Sequence, residues 1–217
     1  MGAQFQYFIF GTGGHSRSAT GLLADIGTEV EGYITEVDSV GSFLNKPVIN
    51  YKKFLENFEV FKIIIAVGDN FQRYRIRTQL FEAVGNSSFP NIIHPDTKIP
   101  SSAQMGAGNL IFSGAVVGYF SKIEDFSLLN SNSTLEHDSH MRSYSSLASG
   151  ACTGGAVKIG LRTSVGLNSS VLQGIEIGDD TVIGAHSFVN KNFPSRSIGY
   201  GLPAQVIQER DIDTKYL

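Results

Sequence analysis

The segment Glu136-His137-Asp138-Ser139-His140 places two imidazoles and two carboxylates within five consecutive residues. Histidine is the side chain whose ordinary pKa lies near neutral pH, and it can therefore accept a proton there without a metal. A neighbouring carboxylate can hold one imidazole tautomer in place. The cluster predicts a site of proton transfer, and residue types alone leave open which imidazole is the base.

A second candidate site is the glycine-rich segment Gly11-Thr12-Gly13-Gly14-His15-Ser16-Arg17, which follows an apolar strand pattern and leads into a helical one. Free backbone N–H groups at a helix N-terminus favour an anion such as a diphosphate. The third glycine of the dinucleotide pattern G-x-G-x-x-G is replaced by Ser16. A tight turn without a ligand is the alternative interpretation.

A six-residue period in the C-terminal half defines the elements that carry the first cluster. From Ile99 to Val189 in steps of six, fifteen of sixteen positions hold an aliphatic residue or Met. Four residues further into each hexad, thirteen of sixteen positions are Ala, Ser, Thr or Val. Neither a 3.6-residue helix nor a two-residue alternation has this period. It predicts a triangular solenoid in which each hexad is one strand plus a corner.

Three hexads make a coil of 18 residues, and residues with that separation stack about 4.8 Å apart on neighbouring coils. His137 and Gly155 have this separation. We therefore expect them to be neighbours. The glycine would leave an open lane beside the imidazole and present a backbone N–H to a reacting carbonyl.

The N-terminal residues follow a different pattern. Strand patterns at Tyr7–Phe10, Val30–Ile34, Lys62–Val67 and Phe89–Ile93 alternate with helical patterns near 16–26, 51–57 and 70–83. This alternation predicts a small Rossmann-like α/β domain with a parallel sheet. We expect that domain at 1–94, and a β-helix domain with a C-terminal cap at 95–217. Asp69 is expected to cap the third helix rather than to bind a ligand.

The hexads IGLRTS (159–164), VGLNSS (165–170), IGDDTV (177–182) and IGAHSF (183–188) resemble the signature of the hexapeptide-repeat acyltransferases. Together with the Gly-Gly-His turn and the C-terminal GYGLPAQVI (199–207), the chain resembles the PglD/NeuD-like sugar acyltransferases over roughly residues 5–208. The resemblance implies a left-handed parallel β-helix and a homotrimer with active sites between subunits. It also implies acetyl-CoA as the acyl donor and no metal.

The resemblance further implies roles for single residues. A His-acidic pair is the base and its partner in such enzymes, which assigns His137 as the general base and Asp138 as its partner. A glycine amide on the next coil contacts the thioester, which assigns this role to Gly155. The other CoA contacts carried over are Ser146, Ala185, Pro203 and Ala204. A structural cap of the β-helix is the alternative interpretation of Ala185 and of the turn at 201–204.

The N-terminal domain of the family holds a nucleotide-linked sugar, and the corresponding residues follow from the resemblance as well. Gly13, His15 and Arg17 are expected at the phosphates or the sugar. Glu36, just after the second strand, is expected to contact the base or the ribose. Asn130, on the coil before His137, is expected to contact the sugar.

Composition excludes several other classes of function. The formal net charge is -3 and the 17 Lys and Arg residues are scattered, which argues against nucleic acid as a partner. Hydrophobic residues are 41%, and no apolar run approaches the roughly 18 residues of a membrane span. The N-terminus lacks a signal-peptide pattern, so we expect a cytoplasmic protein. The single Cys152 excludes an internal disulfide.

The leading hypothesis is acetyl transfer from acetyl-CoA to the amine of a UDP-, dTDP- or GDP-linked 4-amino-4,6-dideoxy sugar, for bacterial surface glycans. An alternative acceptor is a hydroxyl of sialic acid. A non-catalytic nucleotide-binding assembly subunit and an NAD-binding module are alternatives from other classes. The sequence leaves the nucleotide, the sugar epimer and the size of the acyl group open.

Overall fold

The N-terminal part of the protein is an α/β domain in the computed structural model, which describes residues 5–38, 41–81, 83–85 and 88–216. Its elements are β1 (Gln6–Phe10), α1 (Gly14–Asp25), β2 (Val30–Thr35), β3 (Gly41–Phe43), β4 (Lys46–Asn50), α2 (Tyr51–Asn57), β5 (Phe61–Ile65) and α3 (Asn70–Phe81). The sheet order is β3-β4-β2-β1-β5, and all pairs are parallel except β3 with β4. The predicted Rossmann-like sheet is confirmed. No helix among these described ranges is both long and apolar enough to cross a bilayer.

One predicted strand belongs to the other domain. Of the segment Phe89–Ile93, only β6 (Ile92–Ile93) is a strand, and it pairs with Leu110–Ile111 of the coil instead of the N-terminal sheet. The edge of that sheet is occupied by the hairpin β3–β4, which the sequence analysis missed because Pro47 reads as a strand breaker. The third helix ends at Phe81, and residue 82 of its predicted range lies outside the described residues.

From β6 onward the chain winds as a three-sided left-handed parallel β-helix. We call its first side the domain-contact face, made of β6, β8 (Leu110–Ile111), β11 (Leu128–Leu129), β14 (Ser146–Leu147), β17 (Ser164–Val165), β20 (Val182–Ile183), β22 (Ser197–Gly201) and β23 (Ala204–Glu209). The last two strands form an antiparallel hairpin that closes the C-terminal end.

The other two sides differ in the charge of their outward residues. The charged face consists of β7 (Gln104–Met105), β10 (Lys122–Ile123), β13 (His140–Met141), β16 (Lys158–Ile159) and β19 (Glu176–Ile177). The uncharged face consists of β9 (Val116–Val117), β12 (Thr134–Leu135), β15 (Cys152–Thr153), β18 (Ser170–Val171) and β21 (Phe188–Val189). In each of these strands the first residue points outward and the second points into the coil.

The interior of the coil follows the six-residue period. The periodic residues Leu129, Leu135, Met141 and Leu147 are all fully buried in one continuous core, as predicted. The small residues are buried at the corners, where Ser145 donates a hydrogen bond to the Arg142 carbonyl at 2.6 Å. The period starts one hexad before the predicted Ile99, because Ile93 already pairs with the coil. The predicted domain boundary at 94/95 stays a prediction.

The N-terminal domain covers the domain-contact face. Ile9 and Leu23 share one core with Leu110 and Leu128, whose side chains point outward from the coil and are nevertheless buried. The fully buried Arg73 of α3 fastens the two parts together. Its guanidinium donates to the carbonyl oxygens of Val67 at 2.8 Å, Phe126 at 2.7 Å and Tyr144 at 2.9 Å.

Candidate active site

His137 lies at the corner between the uncharged and the charged face, on the turn that joins β12 to β13. Its Nδ1 is 2.8 Å from Oδ2 of Asp138, and both side chains are 59% exposed. The hydrogen bond to Asp138 raises the pKa of His137 above its ordinary value, and the charges of Asp138 and Glu136 act in the same direction. When Nδ1–H donates to Asp138, Nε2 carries the free lone pair of a base.

Gly155 stands directly against this imidazole on the next coil, which confirms the predicted neighbourhood. A Cβ atom added to Gly155 would lie 2.5 Å from Nε2 of His137. The N–H of Ala156 donates to the His137 carbonyl at 2.8 Å, which fixes the register of the two turns. The Gly155 N–H itself donates to no carbonyl or side chain in the described part of the protein. It is therefore available to a substrate oxygen beside the base.

Two exposed aromatic side chains stand on the opposite side of His137, and the sequence analysis did not single them out. Tyr119 and Phe120 are 67% and 70% exposed. They occupy the same corner one coil earlier, where the Tyr119 carbonyl accepts a hydrogen bond from the Asp138 N–H at 3.0 Å. The signal that would have found them is the same 18-residue spacing that linked His137 to Gly155.

The second histidine of the cluster points elsewhere. His140 lies on the charged face, with its Nε2 2.8 Å from Oε1 of Glu124. The other oxygen of Glu124 accepts hydrogen bonds from the N–H and hydroxyl of Ser143, each at 3.1 Å. Among the residues that the structure describes, no group of three or more His, Cys, Asp and Glu side chains is placed to bind a metal.

The glycine-rich turn connects β1 to α1 beside the ends of two other strands. Gly11 has a φ of 119°, a conformation that favours glycine, and donates its N–H to the Ile34 carbonyl of β2. Ser16, which replaces the third glycine of the dinucleotide pattern, donates its hydroxyl to the Ala66 carbonyl after β5 at 3.3 Å. Gly13 caps α1 with no side-chain hydrogen bond, and Gly13 and Gly14 are exposed. The first N–H groups of α1 are thus open to an anion.

His15 was expected at the phosphates because of its position in this turn, but its surroundings disfavour a positive charge on the imidazole. Its Nε2 is buried without a hydrogen-bond partner among the described residues, and its ring centroid is 5.5 Å from that of Phe112 in the coil. Burial lowers the pKa of His15 to about 4, and the charge of Arg73 contributes. The imidazole is therefore neutral at pH 7. Arg17, whose guanidinium lies 4.9 Å from the Phe43 ring centroid, is the exposed cation beside the turn.

Glu36 follows β2 at the same sheet edge, but its carboxylate already has a partner. Arg75 of α3 donates to its two oxygens at 2.8 and 2.5 Å. A ribose or base that binds Glu36 must therefore share this carboxylate with Arg75. Asp69 caps α3 as predicted, since its Oδ1 accepts the Gln72 N–H at 2.8 Å.

Two of the predicted CoA contacts need correction, because their side chains are buried within the chain. The Ser146 hydroxyl lies under α3, where the Asn70 amide donates to it at 3.2 Å. Ala204 is fully buried in the core of the coil. Ala185 and Pro203 are exposed at the C-terminal end of the coil.

Asn130 and Ala185 also stand at a different corner from His137. Both follow a strand of the domain-contact face and precede one of the uncharged face. The amide of Asn130 donates to the Leu147 carbonyl at 2.9 Å. A single chain therefore does not bring these two residues to the His137–Gly155 pair.

Comparison with known proteins agrees with this architecture. Residues 6–80 match the family model of the PglD N-terminal domain. The acetyltransferase domain of PglB from Neisseria gonorrhoeae is 27% identical, with a TM-score of 0.85 over 94% of this chain and 100% of that one. PerB from Caulobacter crescentus, solved with CoA and GDP-perosamine, is 24% identical and shares the fold, with a TM-score of 0.87 over 95% of this chain and 99% of that one.

Curated relatives match a shorter stretch. An acetyltransferase by name from Staphylococcus aureus strain COL is 41% identical over 59 residues, which is 27% of this chain and 30% of that protein. WbbJ from Escherichia coli K12, an O-acetyl transferase of lipopolysaccharide biosynthesis by name, is 40% identical over 60 residues, 28% of this chain and 31% of that protein. This chain thus spans less than a third of the length of these curated relatives. Residues 6–80 therefore carry a PglD N-terminal domain, and the chain as a whole has the fold of the acetyltransferase domain of PglB.

Proposed function

We propose that this protein transfers the acetyl group of acetyl-CoA to the amine of a nucleotide-linked 4-amino-4,6-dideoxy sugar. The observation that carries the proposal is the exposed His137–Asp138 pair set directly against the bare Gly155 amide. A base and an unpaired N–H donor at one point are the two groups that acyl transfer to an amine requires.

The reaction follows from the placement of these groups. The sugar amine attacks the thioester carbonyl carbon while Nε2 of His137 takes one amine proton. The Gly155 N–H donates to the carbonyl oxygen, on which negative charge develops in the tetrahedral intermediate. The C–S bond then breaks, and the imidazolium returns the proton to the CoA sulfur. Asp138 keeps Nδ1 protonated and stabilises the imidazolium between the two steps.

The surface around Gly155 suits the slender arm of CoA. Gly154, Gly155 and Ala156 form a turn without long side chains at the His137 corner, and Gly174 follows one coil later. The exposed Pro203 lies at the C-terminal end of the coil, near the corner that carries Ala185 and not the His137 corner. CoA and acetyl-CoA are bound in the similar structures of PerB and PglB.

We propose that each active site is shared between two subunits. His137 stands at the corner of the triangle that is opposite the domain-contact face. The glycine-rich turn of the same chain lies on that far face, where His15 contacts Phe112. A sugar held by the N-terminal domain therefore reaches the His137 of another chain and not its own.

A ring of three subunits supplies this arrangement if the uncharged faces surround the axis. Interface cores are depleted of charged residues, and the outward residues of this face are Val116, Thr134, Cys152, Ser170 and Phe188. In a head-to-tail ring, opposite edges of the face meet. The His137 corner of one chain then adjoins the corner of its neighbour that carries Phe112, Asn130 and Ala185.

The acceptor side supports a nucleoside diphosphate, because the open N–H groups of α1 and the nearby Arg17 suit two phosphates. PerB binds GDP-perosamine, and another similar fold, AntD from Bacillus cereus, was solved with dTDP. We place the reaction in the synthesis of bacterial surface polysaccharides and in the cytoplasm.

The proposal is tested by offering the purified protein acetyl-CoA with UDP-, dTDP- and GDP-linked 4-amino-4,6-dideoxy sugars, and separately with free sialic acid. We expect transfer to an amino sugar, and a loss of kcat of at least about 100-fold in His137→Ala with unchanged CoA affinity. His140→Ala is the matched control and should retain activity, because its imidazole pairs with Glu124 on another face. Full activity in His137→Ala would rule out this mechanism.

A hydroxyl acceptor is the second candidate, because WbbJ is named an O-acetyl transferase. The same base and amide donor would serve a hydroxyl nucleophile. Product analysis by mass spectrometry after mild alkali separates the two outcomes, since an ester is cleaved and an amide persists. Transfer to sialic acid alone would replace the amino-sugar assignment.

A further inference from the structure

The exposed aromatic pair Tyr119–Phe120 has no part in the proposed acyl transfer itself. Single exposed hydrophobic residues are common, but here two exposed rings stand side by side one coil before the proposed base, and contiguous apolar surface marks a site of contact. The two rings occupy the corner positions of His137 and Asp138 one coil earlier. The Ser102 hydroxyl accepts the Phe120 N–H at 3.2 Å and helps to hold this corner in place.

The two sides of His137 along the coil axis are chemically different. Toward the C-terminus the imidazole packs against Gly155, which has no side chain and whose N–H has no acceptor among the described residues. Toward the N-terminus the neighbours are the Tyr119 and Phe120 rings, which offer an apolar surface and no charge. In the proposed mechanism the thioester lies at the Gly155 amide, which leaves the side of His137 that carries the Tyr119 and Phe120 rings for the rest of the acceptor.

We propose that Tyr119 and Phe120 form the platform for the apolar face of the acceptor sugar, including its C6 methyl group. This inference rests on the proposed function and specifies its acceptor. A 4,6-dideoxy sugar exposes a methyl group and a C–H face beside its amine, and aromatic rings bury such surface favourably. The platform would select 6-deoxy acceptors over acceptors with a C6 hydroxyl. On the rings such a hydroxyl would lose its bound water and gain no hydrogen-bond partner, which weakens binding.

A neighbouring subunit is the competing occupant of these rings. The pair lies at the His137 corner, which adjoins a neighbouring subunit in the proposed ring, and not in the middle of the uncharged face. The exposed hydrophobic residue that this coil presents on the uncharged face itself is Val116, which belongs to the same coil as Tyr119. The position of the rings one coil before the proposed base therefore favours the acceptor, and the oligomeric state serves as a test.

The variants Tyr119→Ser and Phe120→Asn examine the platform in the full-length protein. Asn is chosen because Phe120 has a φ of 58°, and Asn132 and Asn168 adopt the same region at another corner. We expect the KM for the 6-deoxy acceptor to rise about tenfold, as expected for loss of an aromatic contact. The KM for acetyl-CoA and the sedimentation coefficient should stay at the wild-type values. Phe5→Ser, which removes another exposed aromatic ring, is the control and should change nothing.

The acceptor with a C6 hydroxyl provides the decisive comparison. We expect the wild type to prefer the 6-deoxy sugar and both variants to lose that preference. Unchanged KM values, an equal loss with both acceptors, or dissociation of the oligomer would overturn the platform while wild-type activity still stands. Absence of transfer to any amino sugar by the wild type would instead refute the proposed function.

Discussion

At the scale of single residues, the candidate base owes its basicity to a partner and not to burial. His137 is largely exposed, and a hydrogen bond to Asp138 raises its pKa. His15 is the opposite case, because burial keeps it neutral far below neutral pH. Histidine is thus placed for proton exchange at position 137, whereas at position 15 it is an uncharged, buried side chain.

The pH profile of Asp138→Asn tests the first of these statements. A base works only when it is neutral, so kcat/KM falls as the pH drops through the pKa of His137. Removal of the carboxylate takes away the group that raises this pKa, and the acidic limb should move to lower pH. The rate at the plateau should fall as well, because the imidazolium loses its partner. An acidic limb at the wild-type position would contradict the role of Asp138.

Gly155→Ala tests whether space beside the base is needed. The added Cβ would lie 2.5 Å from Nε2 of His137, a flexible and exposed side chain that can rotate away. We expect kcat/KM to fall at least about 100-fold with little change in thermal stability. In the contrasting variant Gly154→Ala, the Cβ would meet the rigid Gln173 backbone N at 2.7 Å, so stability should fall. Wild-type activity in Gly155→Ala would show that the lane is not used.

At the scale of elements, the coil gains little from any one strand, because each named strand from β7 to β21 has two residues. Its rigidity comes from the stack of buried aliphatic residues and from corners where buried serines pair with carbonyls. The junction with α3 is different, because buried polar side chains of the helix, Arg73 and Asn70, bond directly to the coil. Arg73 serves backbone carbonyls of both domains, and burial lowers its pKa to about 10, which still leaves it charged at pH 7.

Arg73→Met is expected to weaken this junction. It leaves buried carbonyl oxygens without a donor, and each such group costs about 1–3 kcal/mol, so unfolding free energy should fall by about 3 kcal/mol or more. Chemical denaturation monitored by circular dichroism measures the change. The control Arg75→Met removes a partly exposed pair with Glu36 and should cost less than about 1 kcal/mol. Equal losses in the two variants would show that Arg73 has no special role.

At the scale of the whole molecule, the triangular cross-section of the coil separates the proposed nucleotide-sugar site from the proposed base, and the proposed reaction needs both. The glycine-rich turn lies against the domain-contact face, and the base lies at the opposite corner. Assembly is therefore part of the proposed active site and not only a source of stability.

Mixing two inactive variants tests this separation. His137→Ala removes the base, and Gly13→Asp places a negative charge at the predicted diphosphate site while supplying a good helix cap. Each variant alone should be inactive with the acceptor. Coexpressed in equal amounts, they should regain up to about one quarter of wild-type activity, since random mixing pairs an intact base with an intact neighbouring domain in that fraction of sites. No recovery in verified mixed oligomers would place each site within one chain.

The sequence by itself determined the coil and the pairing of His137 with Gly155, because a six-residue period fixes which residues stack and allows no other register. It also determined the helix cap at Asp69 and the glycine-rich turn, which depend on local chemistry. Only the tertiary structure decided that Ser146 and Ala204 are buried, that Arg75 shares Glu36, and that Ile92–Ile93 joins the coil. These outcomes depend on which surfaces of the two domains pack against each other. The spacing of residues along the sequence does not show which surfaces these are.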